Sequence, residues 1–297
     1  MIWACPLCRS KLTLDQNGAF CDAGHRFDRA KQGYLHLLPA HQKRSSAPGD
    51  DRQMLLQRRE FLQAGFYLPL ANLLQEQWLK LLHRRAEQVS PAMTLLDCGC
   101  GEGYYLHQLQ AVSKSGSGDV CFYGIDISKE AAKLSARELP EAEIAVASGF
   151  QLPVQSGSVG LLLRVFAPGD SAEVARVLRS DGEFWRVVPG PDHLLELKQS
   201  LYQQVKRHEL PVAPDGFELV EQIDLRFTMA LDSNRAVLQL LQMTPFVWRG
   251  SVEGKKSLQA LDSLEVTAEF MLQKYRLSKL DRLVEPDLKA TAAVDFS

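Results

Sequence analysis

The chain has 297 residues, of which 45% are hydrophobic and 24% charged, and this balance fits a soluble globular protein of one large or two smaller domains. No apolar run approaches the length of a membrane span and the N-terminus lacks a signal-peptide pattern, which excludes membrane and secreted proteins and predicts a cytoplasmic one. The net charge of −2 hides a basic N-terminal part, since residues 1–60 contain ten Lys and Arg against six Asp and Glu.

Three cysteines and one histidine near the N-terminus have metal-ligand spacing. The pattern Cys-x2-Cys-x12-Cys-x3-His consists of Cys5, Cys8, Cys21 and His25. Clustered thiols in a cytoplasmic protein favour a metal over disulfides, and three thiolates with one imidazole are a closed structural zinc set. Short strands are expected at 12–14 and 19–20. A module of this size has too little core to fold alone, so the metal would supply most of its stability.

A polar linker and two helical segments follow. Residues 39–51 are polar and indicate a mobile linker. Basic residues extend from the ribbon into this region, and they either form a solvated face or bind phosphates; they are Arg26, Arg29, Lys31, Lys43, Arg44, Arg52, Arg58 and Arg59, with His36 and His41 between them. From Leu70 to Leu82, apolar residues recur on one helical face of a segment that ends near Glu87.

The stretch from Leu95 to Tyr105 is the most informative in the chain. An apolar strand ends at Asp97, and Gly99, Gly101 and Gly103 then alternate with other residues before a helical segment begins. Such a turn leaves room for a ligand beside the main chain. The spacing Asp-x-Gly-x-Gly-x-Gly resembles motif I of class I S-adenosylmethionine (SAM) methyltransferases. A glycine-rich turn without a ligand is the alternative.

Strand and helix signals alternate from Thr94 onward. Strands are predicted at 94–98, 120–126, 142–147, 159–166 and 183–188, and the alternation indicates a parallel sheet covered on both faces. Asp126 ends the second strand, where an acidic side chain can accept both ribose hydroxyls of an adenosine or can cap the next helix. Ligands of such sheets bind beyond the carboxyl ends of the strands. We therefore expect one crevice that is formed by the glycine turn, Asp126, Ala147-Ser148, Arg164–Pro168 and Pro189–His193.

The C-terminal part is less clearly patterned. Two strands at 217–222 and 225–230, separated by a short turn, precede a helix from about Ser233 to Met243. The last dozen residues, 286–297, indicate a flexible tail. The chain divides accordingly into a ribbon (1–38), a linker with helices (39–90), a methyltransferase domain (91–285) and this tail.

An ordered series of motifs resembles one family, the zinc-ribbon-bearing 23S ribosomal RNA guanine-N1 methyltransferases. The series is Cys5-Pro6-Leu7-Cys8, Cys21-x3-His25-x-Phe27-Asp28, Ala30-Lys31-x-Gly33-Tyr34, Arg58-Arg59-x-Phe61-Leu62-x-Ala64-Gly65-x-Tyr67, Asp97–Tyr105, Ala167-Pro168, Pro189–Leu194 and Leu241-x-Met243-Thr244-Pro245. Departures are Ser180, where a proline is common, a loosely patterned Arg164–Pro168, and little similarity beyond Gly250.

The resemblance implies an α/β class I fold with a mostly parallel seven-stranded sheet, zinc on the four N-terminal ligands, and methylation of N1 of one guanine in a hairpin loop of 23S rRNA. It implies cofactor contacts from Tyr67, Gly101, Glu102 and His193. The expected cofactor set is completed by Asp97, Gly99, Gly103, Asp126 and Ser148. The ribbon would help to select the RNA, and a homodimer is compatible with the sequence.

N1 lies on the Watson–Crick edge, so the target base must be unpaired or extruded. Phe166 and Pro168 could stack on it, and Arg164 could hydrogen-bond it or be a surface arginine. Asp170 is a weak candidate for a general base, and its alternative role is to cap the helix that follows. His193 is another candidate, but the family resemblance places it against the cofactor. Two other functions stay open, a small-molecule methyltransferase of the quinone-biosynthesis type and a non-enzymatic zinc-binding regulator.

Overall fold

A large mixed sheet forms the centre of the molecule, and a computed structural model describes it together with most of the chain. The described residues are 1–42, 49–87, 92–113, 120–244, 246 and 250–278. Lys43, Arg44 and the rest of 43–48, the centre of the predicted linker, lie outside them, as does the predicted tail at 286–297.

Eleven strands and eight α-helices are found among the described residues. The strands are β1 (Thr13–Asp15), β2 (Gly18–Phe20), β3 (Arg26–Asp28), β4 (Leu35–His36), β5 (Met93–Cys98), β6 (Val120–Asp126), β7 (Glu143–Val146), β8 (Val159–Val165), β9 (Leu178–Pro189), β10 (Phe217–Leu231) and β11 (Leu264–Leu277). The helices are α1 (Arg52–Gln63), α2 (Leu68–Ala86), α3 (Tyr104–Ser113), α4 (Lys129–Glu138), α5 (Ser171–Val177), α6 (Leu195–Leu201), α7 (Asn234–Gln242) and α8 (Val252–Gln259).

The large sheet has the strand order β10-β11-β9-β8-β5-β6-β7-β4, and β1 to β3 form a separate small sheet. Strand β11 runs antiparallel to both β9 and β10, and the other neighbours in the large sheet are parallel. The predicted class I architecture is therefore confirmed. The sheet has eight strands rather than seven because β4, a two-residue strand after the ribbon, pairs with the edge strand β7.

Local chemistry sets the helix boundaries. Asp51 accepts a hydrogen bond from the Met54 N–H at 2.9 Å and caps α1, while Ser128 and Ser233 cap α4 and α7 in the same way. These side chains satisfy backbone donors that have no partner inside the first turn of a helix. The glycine turn therefore leads into α3, and the strand that ends in Asp126 leads into α4, at the same end of the sheet.

The ribbon covers one face of the large sheet. Trp3 is fully buried, and its ring meets that of Tyr123 on β6 edge-on at a centroid distance of 5.3 Å. The Ala4 N–H donates to the carbonyl of Pro153 at 2.9 Å, next to a bridge between Trp3 and Val154. One hydrophobic cluster therefore contains residues of the ribbon and of the sheet, while α1, α2, α3 and α7 contribute to the cluster on the other face.

One expectation for the C-terminal part was wrong, and one strand was not predicted. The runs 217–222 and 225–230 belong to one strand, β10, which is irregular where Leu219 and Glu221 change register with β11. Strand β11 itself was not predicted, although it forms the antiparallel centre of that half of the sheet. No described helix combines the length and apolarity needed to cross a bilayer.

Candidate functional site

A cavity of about 950 Å³ lies at the carboxyl ends of the parallel strands. It corresponds to the predicted crevice, because most of the expected residues line one space. These are Tyr67, Asp97, Gly99, Gly101, Glu102, Asp126, Ser148, Phe166, Pro168 and His193. Gly103 lies behind the turn, where a Cβ atom would stand 2.8 Å from the Ser135 hydroxyl oxygen, so this glycine lets the turn pack against α4.

The glycine turn is built as the sequence predicts. Gly99 and Gly101 have φ angles of 86° and 57°, in the left-handed region that glycine enters without penalty. The N–H groups of Gly99 and Cys100 both donate to the carbonyl of Ile125, which ties the turn to the adjacent strand β6. The Gly101 N–H donates to the Asp126 carboxylate at 3.0 Å. The turn and Asp126 are therefore held in a fixed relation.

Three carboxyl groups face this part of the cavity, and those of Asp97 and Glu102 are buried while Asp126 is half-buried. Burial, with the nearby charges of Asp126 and Glu102, raises the pKa of Asp97 to about 8. Burial also raises the pKa of Glu102 to about 7 and the pKa of Asp126 above its ordinary value. Asp97 is 2% exposed, and its Oδ1 atom has no hydrogen-bond partner among the described residues. A buried carboxylate in this state needs a cation or a donor.

These residues fit S-adenosylmethionine. The cofactor carries an ammonium group, which can supply the donor that Asp97 lacks. It also carries ribose hydroxyls, which can donate hydrogen bonds to the Asp126 carboxylate. Ser148 lies beside them, 8% exposed, and its hydroxyl oxygen accepts from the Phe150 N–H at 3.2 Å. The paired acidic side chains and the glycine turn can therefore hold both ends of an amino-acid-bearing nucleoside.

Tyr67 and His193 form a second group in the cavity. The Glu269 N–H donates to Nδ1 of His193 at 3.2 Å, so Nε2 carries the hydrogen in the neutral ring and faces the Tyr67 hydroxyl at 3.5 Å. Burial lowers the pKa of His193 to about 3 and raises that of Tyr67. His193 is thus neutral with its basic nitrogen occupied, and this arrangement argues against its role as a general base.

Phe166 stands at the rim of the cavity in a strained conformation. Its φ angle of 54° is unusual for a bulky residue, and it leaves the ring 44% exposed. The ring lies nearly parallel to that of His193, with centroids 5.9 Å apart and an interplanar angle of 27°. Pro168 lines the same wall. The structure therefore presents a flat apolar surface next to the cofactor-sized space, as expected for a base-stacking site.

Two predicted site residues lie elsewhere. The Arg164 guanidinium is buried beneath the loop that follows β8, near the Phe184 ring, and donates to the Gly169 carbonyl at 3.4 Å. Asp170 caps α5, its Oδ1 atom accepting from the Ala172 N–H at 2.7 Å. Neither is among the described residues that line the cavity. Arg164 therefore supports the loop from below and Asp170 supports a helix, and the structure gives both side chains structural contacts in place of the predicted substrate contact and base catalysis.

Sequence reasoning missed several residues of the cavity wall. They are Arg58, Arg186, His208, Glu209, Met243 and Thr244. Met243 and Thr244 belong to a motif that the family resemblance contains, but the motif alone gives them no role. The segment around His208 has no periodicity, so nothing in the sequence places it over the cavity.

The N-terminal ligands are arranged for a tetrahedral metal. The ligand atoms of Cys5, Cys8, Cys21 and His25 all lie within 4.8 Å of one another. Two sulfurs, of Cys8 and Cys21, are 3.7 Å apart, and Nδ1 of His25 lies 3.5 Å from the Cys5 sulfur and 3.4 Å from that of Cys21. Zinc with tetrahedral geometry and bonds of about 2.3 Å to sulfur and about 2.0–2.1 Å to nitrogen requires separations of about 3.8 and about 3.6 Å. The set fits zinc with four protein ligands, which is a structural site.

The basic residues of the N-terminal part are less available to bind phosphates than the sequence suggests. Four of its arginines form ion pairs, Arg26 with Asp15, Arg29 with Glu143, Arg58 with Asp50 and Arg59 with Glu138. Lys31 and Arg52 are exposed. The N-terminal part therefore has a mixed surface in its described residues.

Comparisons with known proteins agree with this architecture. The family described as "RlmA, N-terminal" matches residues 3–46, and the one described as "Methyltransferase domain" matches 89–211. The "23S rRNA (guanine(748)-N(1))-methyltransferase" of Streptomyces fradiae is 33% identical over 82% of this chain and 85% of its own.

Two further relatives carry similar names. The "Putative 23S rRNA (guanine-N(1)-)-methyltransferase" of Micromonospora griseorubida is 31% identical over 92% of this chain and 96% of its own. The "Putative 23S rRNA (guanine-N(1)-)-methyltransferase YxjB" of Bacillus subtilis is 29% identical over 90% of this chain and 94% of its own. With the zinc ligands and the cofactor cavity in place, the chain belongs to the SAM-dependent 23S rRNA guanine-N1 methyltransferase family.

Proposed function

We propose that this protein methylates N1 of one guanine in a hairpin loop of 23S rRNA, and that its zinc ribbon helps to select the RNA. The observation that carries the proposal is the mixed lining of one cavity. Acidic side chains and the glycine turn line it together with the exposed Phe166. A nucleoside-sized donor and a flat acceptor base can therefore meet in the same space.

Asp97, Asp126, Ser148 and the glycine turn would hold the cofactor, which supplies an electrophilic methyl group on a sulfonium. The chain's own contribution is mainly positioning. Holding the acceptor nitrogen in line with the methyl carbon can lower the barrier by roughly 7–11 kcal/mol. Tyr67 and His193, which are neutral, buried and in ring contact with each other, form part of the cavity wall.

An unpaired guanine suits the wall that carries Phe166. N1 is hidden in a duplex, and proteins read RNA sequence mostly at loops, where bases stack on aromatic side chains. Phe166 offers such a ring, and its strained backbone holds it at the rim. The relatives' names specify guanine N1 in 23S rRNA as their target.

The ribbon lies on the same rigid scaffold and offers contacts for the RNA outside the cavity. Leu7, on the turn between the first two zinc ligands, is 51% exposed, and Lys11 and Lys31 are exposed elsewhere on the ribbon. A structural metal fixes these side chains without taking part in the chemistry. This arrangement supports a role in RNA selection.

The direct test is incubation with tritiated SAM and either unmodified 23S rRNA or a metabolite extract. We expect label in the rRNA, and mass-spectrometric mapping should place it at N1 of a single loop guanine that is unmodified in cells lacking the gene. Asp97→Asn serves as the inactive control. Label only in the metabolites would favour the small-molecule alternative, and no binding of SAM by calorimetry would favour the regulator.

A further inference from the structure

The segment 203–216, between α6 and β10, passes over the cavity and is anchored on both sides. The His208 N–H donates to the Pro191 carbonyl at 3.1 Å, and Arg207 pairs with Asp192 at 2.9 Å. Farther along, the Val212 carbonyl accepts from Arg186 at 3.2 Å. These contacts fix the position of the side chain at 208 relative to the rest of the cavity wall.

His208 lines the cavity, and its Nε2 atom is buried without a hydrogen-bond partner in the described part of the chain. Its ring lies 6.2 Å, centroid to centroid, from that of His193. The two histidines differ in what they can do. His193 uses its basic nitrogen to accept from the Glu269 N–H, whereas Nε2 of His208 is free to meet a ligand.

The surroundings keep the His208 imidazole uncharged. Burial lowers its pKa, and the ammonium of Lys198 on α6 lowers it further. The titratable or charged groups around this ring are Lys198, His193, Asp192, Glu269, Arg207 and Glu209. The Asp192 and Glu269 carboxylates are both within ion-pair distance of Arg226, which reduces their ability to draw a proton onto His208. A neutral imidazole at neutral pH can accept a proton.

We propose that Nε2 of His208 accepts the N1 proton of the target guanine during methyl transfer. This inference rests on the proposed function. As the bond between N1 and the methyl carbon forms, the carbon–sulfur bond breaks and its electron pair stays on sulfur. The N1–H electron pair stays on the base, and the proton moves to His208, which becomes an imidazolium and later returns the proton to water.

The other titratable groups near the base site are less suited. Asp170 caps a helix outside the cavity, and Nδ1 of His193 is already an acceptor. Glu209 also lines the cavity, but it is an exposed residue. A solvated carboxylate is a weaker proton acceptor than a neutral imidazole, because its basicity lies farther from what the operating pH requires. The matched control is Gln204, which is exposed on the same segment and is not among the residues that line the cavity.

The experiment compares His208→Gln and Gln204→Ala in single-turnover methylation of unmodified 23S rRNA, with SAM and RNA dissociation constants measured on the same samples. We expect His208→Gln to slow methyl transfer by about 10²–10⁴-fold, with both dissociation constants and the rate of Gln204→Ala close to wild type. The deficit of His208→Gln should shrink as the pH rises toward the range in which guanine N1 loses its proton unaided.

Unchanged SAM binding shows that the variant is folded. A His208→Gln rate equal to wild type would overturn the inference, and so would a deficit that is the same at every pH, because a positioning role would give that result. Failure of the wild-type protein to methylate rRNA would instead refute the proposed function, so the two failures are distinguishable.

Discussion

Replacing Gly99 with alanine tests whether the glycine turn and the loop that follows β8 are packed against each other. A Cβ atom at Gly99 would lie far inside the van der Waals distance of the Ala167 Cβ, in the loop that carries Phe166. The φ of 86° adds strain of about 1–2 kcal/mol, and overpacking adds about 1–3 kcal/mol. We expect Gly99→Ala to lower the free energy of unfolding by about 2–5 kcal/mol and to weaken SAM binding at least tenfold.

Two variants separate the strain from the contact. Gly157 has a φ of 61°, and a Cβ atom added there would meet nothing within 4 Å, so Gly157→Ala should cost only the strain, about 1–2 kcal/mol. In the double variant Gly99→Ala/Ala167→Gly, the atom nearest to the new Cβ of residue 99 is the Cα of residue 167, at 3.7 Å. Much of the lost stability and SAM affinity should therefore be recovered. Urea denaturation and calorimetry with SAM measure both effects. Equal stability and SAM affinity in Gly99→Ala and Gly157→Ala would refute the reasoning.

Three more changes test other parts of the molecule. Because the native carboxyl of Asp97 holds its proton up to a pKa of about 8, against an ordinary value of 3.8, the stability of the SAM-free protein should fall as the pH rises across that range. Asp97→Asn should flatten this slope in urea denaturation at several pH values and yet abolish SAM binding; an unchanged slope would contradict the assignment. Replacing Cys5 and Cys8 with serine should release zinc, as measured by metal analysis, and weaken RNA affinity far more than SAM affinity, so equal RNA binding would exclude the proposed role of the ribbon. Phe166→Ala should lose about 1–3 kcal/mol of base stacking, measured as a lower kcat/KM for RNA, whereas the similarly exposed Phe150→Ala on the cofactor side should change SAM affinity instead.

Sequence patterns predicted the parts of the fold in which local chemistry decides the structure. The apolar strands that end at Asp97 and Asp126 needed only hydrophobic runs and the glycines between them, and both residues line the cavity. Strand β11 was missed because it carries Glu265, Glu269 and other charged residues throughout, yet its Gln273 and Lys274 are buried through side-chain partners on distant strands and helices. Such burial depends on tertiary contacts, which a pattern in one segment does not reveal.

The same limit applies to the site. Arg164 was expected to hydrogen-bond the substrate base, but its guanidinium lies under the loop that follows β8 and beside the Phe184 ring, and no pattern within one strand reveals those contacts. His208 has no signal in the sequence, because its segment lacks a periodic pattern and reaches the cavity only through its anchors at Pro191 and Asp192. Motifs identified the cofactor side of the cavity, while the acceptor side depends on how distant segments pack.

Strand β4 holds the ribbon in a fixed position relative to the cavity. Its pairing with β7, next to the strand that carries Asp126, makes the metal module an extension of the catalytic scaffold and not a swinging arm. If the ribbon grips the stem of an RNA hairpin as proposed, only a nucleotide at the matching distance from that stem would enter the cavity, and neighbouring guanines would be distinguished by their distance from the stem before any base edge is read.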